Sequence, residues 1–98
     1  MSLERACEAL KAGKLLELNY GEFIRHVEVH AAGRDGSGIE LMRVWQVSGG
    51  RKGRERSGWK LLRLDEVAHA AVLEQPSKAP RRGYRRNDPA LKRIMYEL

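Results

Sequence analysis

The stretch GWKLLRLDEV at residues 58–67 most constrains how this chain can fold. Large apolar residues and two cations alternate along it, and it closes on an Asp-Glu pair. This pattern predicts a β-strand that runs into a tight corner. Because successive side chains of a strand point to opposite faces, each face carries apolar bulk and one cation, Lys60 or Arg63. Those cations either face an anion or extend along their apolar stems to solvent at a barrel rim.

Length and composition bound the possibilities. The 98 residues suffice for one domain with a modest core, so we expect a single domain over 1–98. With 42% hydrophobic and 33% charged residues, the chain is typical of a folded soluble protein. No run of 18 apolar residues and no signal-peptide pattern is present, so no membrane association is expected. The single cysteine, Cys7, is expected to be a small core residue, and the setting to be cytoplasmic.

The net charge of +6 is concentrated in two segments. The loop at 49–58 has four cations against one carboxylate, and residues 76–88 have five cations against one. This asymmetry favours nucleic acid or another phosphate-bearing partner. Loops rich in Arg and Lys also occur for solubility alone, and that alternative stays open.

Local patterns predict a helix, about five strands and a second helix. Ser2 and Gly13 are suitable caps for an N-terminal helix with apolar residues at helical spacing. Strands are predicted at 16–20, 23–30, 39–48, from Gly58 to the corner, and 67–74. A basic strap (residues 75–88) follows, and Asp88-Pro89 predicts the start of a C-terminal helix over 89–98. Elements in this order predict a mainly β fold with a small, strongly bent sheet or barrel.

Three groups of residues are candidates for a site. Arg43 and Trp45 share one face of the third predicted strand, where they either stack on a base and hold a phosphate or belong to the core. In the strap, Arg81, Arg82 and Tyr84 combine cations with an aromatic ring, as surfaces that follow single-stranded nucleic acid do, unless the strap simply covers the sheet.

The third group, His26, Glu28 and His30, alternates along the second predicted strand. Side chains on one face are then about 7 Å apart, which is loose for one metal ion. We therefore expect an exposed polar face, no metal and no cofactor. The other acids and bases are scattered and no nucleophile lies beside an evident base, so we expect no enzyme.

The sequence resembles the WYL domain family of bacterial proteins. The resemblance covers roughly residues 5–74 and is carried by Leu18-Asn19-Tyr20, by Arg25-His26-Val27-Glu28, by 38–47 and above all by 58–67. The last segment is similar to that family's W-[KR]-x-[FL]-R-[LV]-D-x-[IV] ending. Residues 80–88 of the strap and the turn at 46–50 are similar to a stand-alone, single-domain branch.

The resemblance implies an SH3-like or Sm-like barrel of about five strands, here with a helix at each end. It also implies sensing of nucleotides or single-stranded DNA within transcription regulators and phage-defence proteins. Two features depart from the family. The triplet that names it falls on Ile39-Glu40-Leu41, which keeps only the Leu, and the helix-turn-helix domain of most relatives has no room in this chain.

Two functions follow as expectations. In the first, a non-catalytic module binds single-stranded nucleic acid or a nucleotide-type ligand. Its phosphates would meet cations that converge from neighbouring strands, and its bases would stack on aromatic rings: Arg25, Arg43, Lys60 and Arg63 with Trp45, Trp59 or Tyr84. In the second, the C-terminal helix and the barrel edges form a homodimer or dock on a larger regulator, with no direct contact to nucleic acid.

Overall fold

The computed structural model describes residues 1–98 and contains one α-helix and six β-strands. They are α1 (Leu3–Ala12), β1 (Lys14–Tyr20), β2 (Phe23–Arg34), β3 (Glu40–Gly49), β4 (Gly58–Arg63), β5 (Val67–Pro76) and β6 (Arg93–Glu97). All strand pairs are antiparallel and form one sheet in the order β4-β3-β2-β1-β5, with β6 beside β2. The predicted mainly β fold is confirmed. The sheet is open, because β4 and β5 are its end strands and do not pair with each other.

The helix α1 forms where its capping residues predict it. The Ser2 hydroxyl accepts a hydrogen bond of 3.1 Å from the Arg5 amide, and Gly13 ends the helix with a φ of 63°. Its apolar stripe is buried against the sheet, while Cys7 is only partly buried at the margin of that core. With ten residues, α1 is too short to span a membrane.

The main core lies between α1 and one face of the sheet. It is formed by alternate residues of the strands together with the helix stripe: Leu3, Ala6, Ala9, Leu10, Leu16, Leu18, Val27, Val29, Ala32, Met42, Val44, Leu62, Leu64 and Val67. In β4, Leu62 enters this core, whereas Leu61 on the opposite face keeps 36% of its surface exposed. The stretch that ends in Asp65-Glu66 does turn there, through a 3-10 turn at Leu64–Glu66.

The prediction of a C-terminal helix over 89–98 is wrong, because residues Arg93–Glu97 form β6. The second half of β2 runs beyond the end of β1, so its backbone hydrogen-bonding groups on that side need a partner. β6 supplies it, with Ala31 opposite Glu97 and Arg34 opposite Arg93. Pairing with a distant strand thus overrides the helical spacing of the apolar residues.

Candidate functional site

The strap lies on the sheet face opposite α1. Along β3, Val44 packs in the core beneath α1, so its neighbours Arg43 and Trp45 point to the other face. Strap residues contact that second face. Asp88 is ion-paired with Arg43, and the Arg81 guanidinium carbon lies 5.6 Å from the centre of the Trp45 ring. One face of the sheet is therefore covered by the helix and the other by the strap.

A buried carboxylate anchors the beginning of the strap. The Arg81 side chain donates hydrogen bonds of 2.6 and 3.2 Å to the two oxygens of Glu28, and the Lys78 amide donates one of 2.6 Å. Burial, which leaves Glu28 only 1% exposed, raises the pKa of this carboxyl. The hydrogen bonds from Arg81 and Lys78 outweigh burial, so the pKa lies below its ordinary value. Arg81 is therefore ion-paired within the protein, with Glu28.

His30 joins the strap to the sheet at the same place. The Arg81 amide donates a hydrogen bond of 2.9 Å to Nε2 of His30, and Nδ1 lies 2.9 Å from the Glu28 carbonyl oxygen. Because an amide can only donate, Nε2 is an acceptor and the ring proton is on Nδ1. Burial lowers the pKa of His30, which favours this neutral form.

The predicted exposed polar face of His26, Glu28 and His30 is wrong for two of the three. Glu28 and His30 are buried because the strap covers them, whereas His26 is half-buried and contacts Glu17 and Ser48. No group of three or more His, Cys, Asp or Glu side chains is close enough to hold a metal ion.

Four aromatic rings cluster where the strap meets the sheet. Trp59 of β4 stands opposite Trp45 of β3, with ring centres 5.3 Å apart and planes at 87°. His30 lies 4.7 Å from Trp59 and 5.1 Å from Tyr84 of the strap. Trp59 and Tyr84 are 6.3 Å apart and tilted by 34°. The two tryptophans and the tyrosine are only partly buried, so this cluster reaches the surface.

At that surface a cleft of about 310 Å³ opens between the strap and β3–β4. We call it the strap cleft, and it is lined by Arg43, Trp59, Gly83, Tyr84, Arg85, Asp88 and Pro89. The strap approaches Trp59 through Gly83, where an added Cβ would lie 3.3 Å from the indole Nε1. The volume of the strap cleft is at the lower end of the range for small-molecule sites, and the cleft matches a single planar group better than a large ligand.

Some charged side chains in and near the strap cleft are ion-paired within the protein, and others are not. Arg43 donates to both oxygens of Asp88 at 2.6 and 3.2 Å, and this contact from Arg43 lowers the pKa of Asp88. The other ion pairs of the strap engage Arg81 and Arg86. Arg82 and Arg85 are exposed without an ion pair, so these two are available to an external anion.

The predicted convergence of Arg25, Arg43, Lys60 and Arg63 is not found. Arg25 donates to the side chains of Gln46 and Glu55. Gln46 follows Trp45 in β3, so Arg25 and Arg43 lie on opposite faces of the sheet. Lys60 stands opposite Val44, lies 3.4 Å from Glu55 and shares the face of Arg25. Alternation of side chains thus separates Arg43 from Arg25 and Lys60, which both contact Glu55.

Arg63 lies at the end of β4 and is held by the corner that follows it. It donates to both oxygens of Asp65 at 3.0 and 2.7 Å, and its Nε lies 3.5 Å from Glu66. The hydrogen bonds to Asp65 raise the pKa of Arg63 and lower that of Asp65. Arg63 is thus paired within the protein, 43% exposed at its side chain.

The structure therefore gathers Arg43, Trp45, Trp59, Arg81 and Tyr84 on the strap face, with Arg82 in the same segment. Sequence reasoning missed Arg85 and Asp88 of the cleft and the carboxylates Glu28 and Glu55 that neutralise predicted ligand residues. Glu28 was the detectable case, since a carboxylate among the apolar residues of β2 requires a cation if it is buried.

Comparison of the chain with protein-family models, with curated protein sequences and with solved structures found no match.

Proposed function

We propose that the protein is a non-catalytic module that binds single-stranded nucleic acid or a nucleotide-type phosphate ligand in the strap cleft. One observation carries the proposal: the cleft combines two partly exposed aromatic rings, Trp59 and Tyr84, with Arg85, an exposed arginine of the strap that has no acidic partner. Single-stranded nucleic acids are held by this combination of stacking and positive charge.

The chemistry divides between the rings and the arginines. A base that stacks on an aromatic side chain contributes about 1 to 3 kcal/mol, and Trp59 or Tyr84 offers that face. Arg82 and Arg85 would contact the adjoining phosphates. The Arg43–Asp88 pair is neutral as a unit and would act through the position it gives the strap.

The resemblance to the WYL family supports the same ligand class. We further propose that the open sheet is a relative of the SH3-like or Sm-like barrel. The helix before β1, the position of β5 beside β1, and the 3-10 turn between β4 and β5 support this relationship. On this basis the module would act in the bacterial cytoplasm, in transcription regulation or phage defence.

The test is fluorescence anisotropy of labelled oligonucleotides over a salt series. Single-stranded DNA, single-stranded RNA and duplex DNA are titrated with the parent and with the double variant Arg82→Ala/Arg85→Ala. We expect saturable single-strand binding by the parent. In the variant the slope of log affinity against log salt should fall by about 1.4, since each single-strand phosphate contact contributes about 0.7.

The matched control is Arg54→Ala/Arg56→Ala, which removes the same charge from the exposed loop after β3. It should retain most of the affinity. Equal losses in the two double variants would mean attraction by net charge alone, and absence of binding at low salt would contradict the proposal.

The alternative is a protein-interaction or dimerisation subunit, and one observation favours it. Met95 and Tyr96 of β6 are 55% and 38% exposed beside a second cleft, which also includes Leu3 and Cys7 of α1. Exposed apolar groups of this kind mark interaction surfaces when they are contiguous. If no oligonucleotide binds, this surface becomes the preferred site.

A further inference from the structure

The loop between β3 and β4 places a carboxylate among four hydrogen-bond donors. Oε1 of Glu55 lies 2.7 Å from the Arg25 guanidinium, 3.4 Å from the Gln46 amide and 3.4 Å from the Lys60 ammonium. Oε2 accepts a hydrogen bond of 2.9 Å from the Arg51 backbone amide. These contacts lie on the α1 side of the sheet, away from the strap cleft.

The backbone is shaped to admit this carboxylate. Gly50 has a φ of 78°, and a Cβ there would lie 2.3 Å from Cδ of Glu55. The preceding Gly49 has a φ of 99° and passes close to β2, where a Cβ would lie 2.3 Å from the Ile24 carbonyl oxygen. Two adjacent glycines therefore bring the Arg51 amide and the carboxylate together, as in backbone sites that bind anions.

The donors belong to the sheet, whereas the acceptor belongs to a loop. Arg25 is 9% exposed and is also held by the Tyr20 carbonyl oxygen at 3.1 Å, and Gln46 is fully buried. Glu55 lies in an exposed loop and its own side chain is 25% exposed. Removal of the carboxylate would leave the sheet donors in place, with a path to solvent.

The cluster around Glu55 also keeps a net positive charge, which favours an anion of higher charge than a carboxylate. Arg25 and Lys60 contribute two positive charges and Glu55 one negative charge, so the cluster keeps a surplus of one. A phosphate monoester carries about −1.5 to −2 at neutral pH and has three acceptor oxygens. Four further cations in the same loop, Arg51, Lys52, Arg54 and Arg56, are exposed and would attract it.

We propose that Arg25, Gln46, Lys60 and the Arg51 amide form an anion-binding site for a phosphate group, and that the Glu55 carboxylate occupies it until such a group displaces it. The contact of Glu55 with the Arg51 amide and with Arg25 lowers its pKa to about 2, so the site stabilises an anion there. This site is independent of the proposed function, because it uses other residues on the other face of the sheet.

The test compares Glu55→Ala with the parent and with Glu74→Ala, which removes the same charge from an exposed position of β5. Thermal unfolding is measured in sodium phosphate and in sodium chloride at equal ionic strength, and inorganic phosphate is titrated by calorimetry. Glu55→Ala should unfold at a lower temperature than the parent in chloride. Phosphate should raise the unfolding temperature of Glu55→Ala by several degrees, and of no other protein in this comparison. Calorimetry should show that Glu55→Ala binds phosphate at least tenfold more tightly than the parent does.

Two additions keep the result decisive. Glu55→Gln retains the shape of the side chain, so it replaces Glu55→Ala if that variant does not fold, and phosphate should stabilise it more than the parent.

A 5′-phosphorylated dinucleotide is compared with its 5′-hydroxyl form, which separates a nucleotide source of the phosphate from free phosphate. Equal stabilisation of all variants by phosphate would be a general salt effect and would overturn the proposal.

Discussion

At the scale of single residues, three arginines that are buried or partly buried are each paired with a carboxylate of the same chain. Arg25, Arg43 and Arg81 are bound to Glu55, Asp88 and Glu28, each with a shortest contact of 2.6 or 2.7 Å. A charge withdrawn from water needs such a partner, because the loss of hydration otherwise exceeds any gain from packing. These three pairs thus hold the strap and the loop to the sheet, and the arginines without partners remain at the surface.

The pair between Arg81 and Glu28 gives a prediction at this scale. Arg81→Ala would leave Glu28 buried and without its cation, and should lower the free energy of unfolding by roughly 3 kcal/mol. This is the lower end of the range for buried pairs, since the Arg81 side chain is itself 28% exposed. Urea unfolding monitored by tryptophan fluorescence measures it.

The neighbouring exposed residue provides the control for that measurement. Arg82→Ala removes the same charge without breaking an ion pair and should change the free energy of unfolding by less than about 0.5 kcal/mol. Similar losses in the two variants would contradict the role given to the Glu28–Arg81 pair.

At the scale of elements, local signals predict α1 and the early strands, and distant pairing decides the rest. The Ser2 cap and the Gly13 stop act within one helical turn, so the sequence shows them directly. The C-terminal segment has apolar residues at helical spacing, yet the unpaired edge of β2 recruits it as β6. That edge exists because β2 has twelve residues and β1 seven, a mismatch that no local pattern reveals.

The same reason limits what the sequence predicts of the site. The aromatic residues and Arg82 of the strap were identified because stacking and charge are properties of single residues. The partner of Arg81 was not, since Glu28 is 53 positions away and faces it only after the strap has folded over the sheet. The placement of Arg25 and Arg43 on opposite faces of the sheet depends likewise on strand registers, which include bulges in the β2–β3 pair.

The contact between β2 and β6 gives a prediction at the scale of elements. A Cβ at Gly33 would lie 2.1 Å from the carbonyl oxygen of Arg93, so Gly33→Ala should push β6 away from β2. We expect faster amide exchange across residues 93–97 and a loss of stability of about 1 to 3 kcal/mol, the usual cost of overpacking. Hydrogen exchange followed by NMR measures the first effect.

Gly36→Ala is the matched control, since its Cβ would lie 3.7 Å from Cγ of Lys92, at ordinary contact distance. It should leave exchange in β6 unchanged. Protection of β6 that survives Gly33→Ala would show that the strand is held by something other than its pairing with β2.

At the scale of the whole molecule, the sheet separates two surfaces that carry the unpaired positive charge. On one side the strap and the sheet enclose the aromatic cleft beside Arg82 and Arg85, and on the other the Gly-rich loop closes over Arg25 with its own carboxylate. A net charge of +6 on 98 residues will attract any polyanion. The specific claim is that a ligand settles at the aromatic side.

The measurement that tests this claim most directly uses the two tryptophans of the chain. Each indole N–H gives one signal in a ¹H–¹⁵N spectrum, and Trp45→Phe assigns them. On titration with a short single-stranded oligonucleotide, we predict that the Trp59 indole and the amides of residues 82–86 shift together and saturate. Shifts confined to the loop at 51–56, with the Trp59 indole unmoved, would contradict the account.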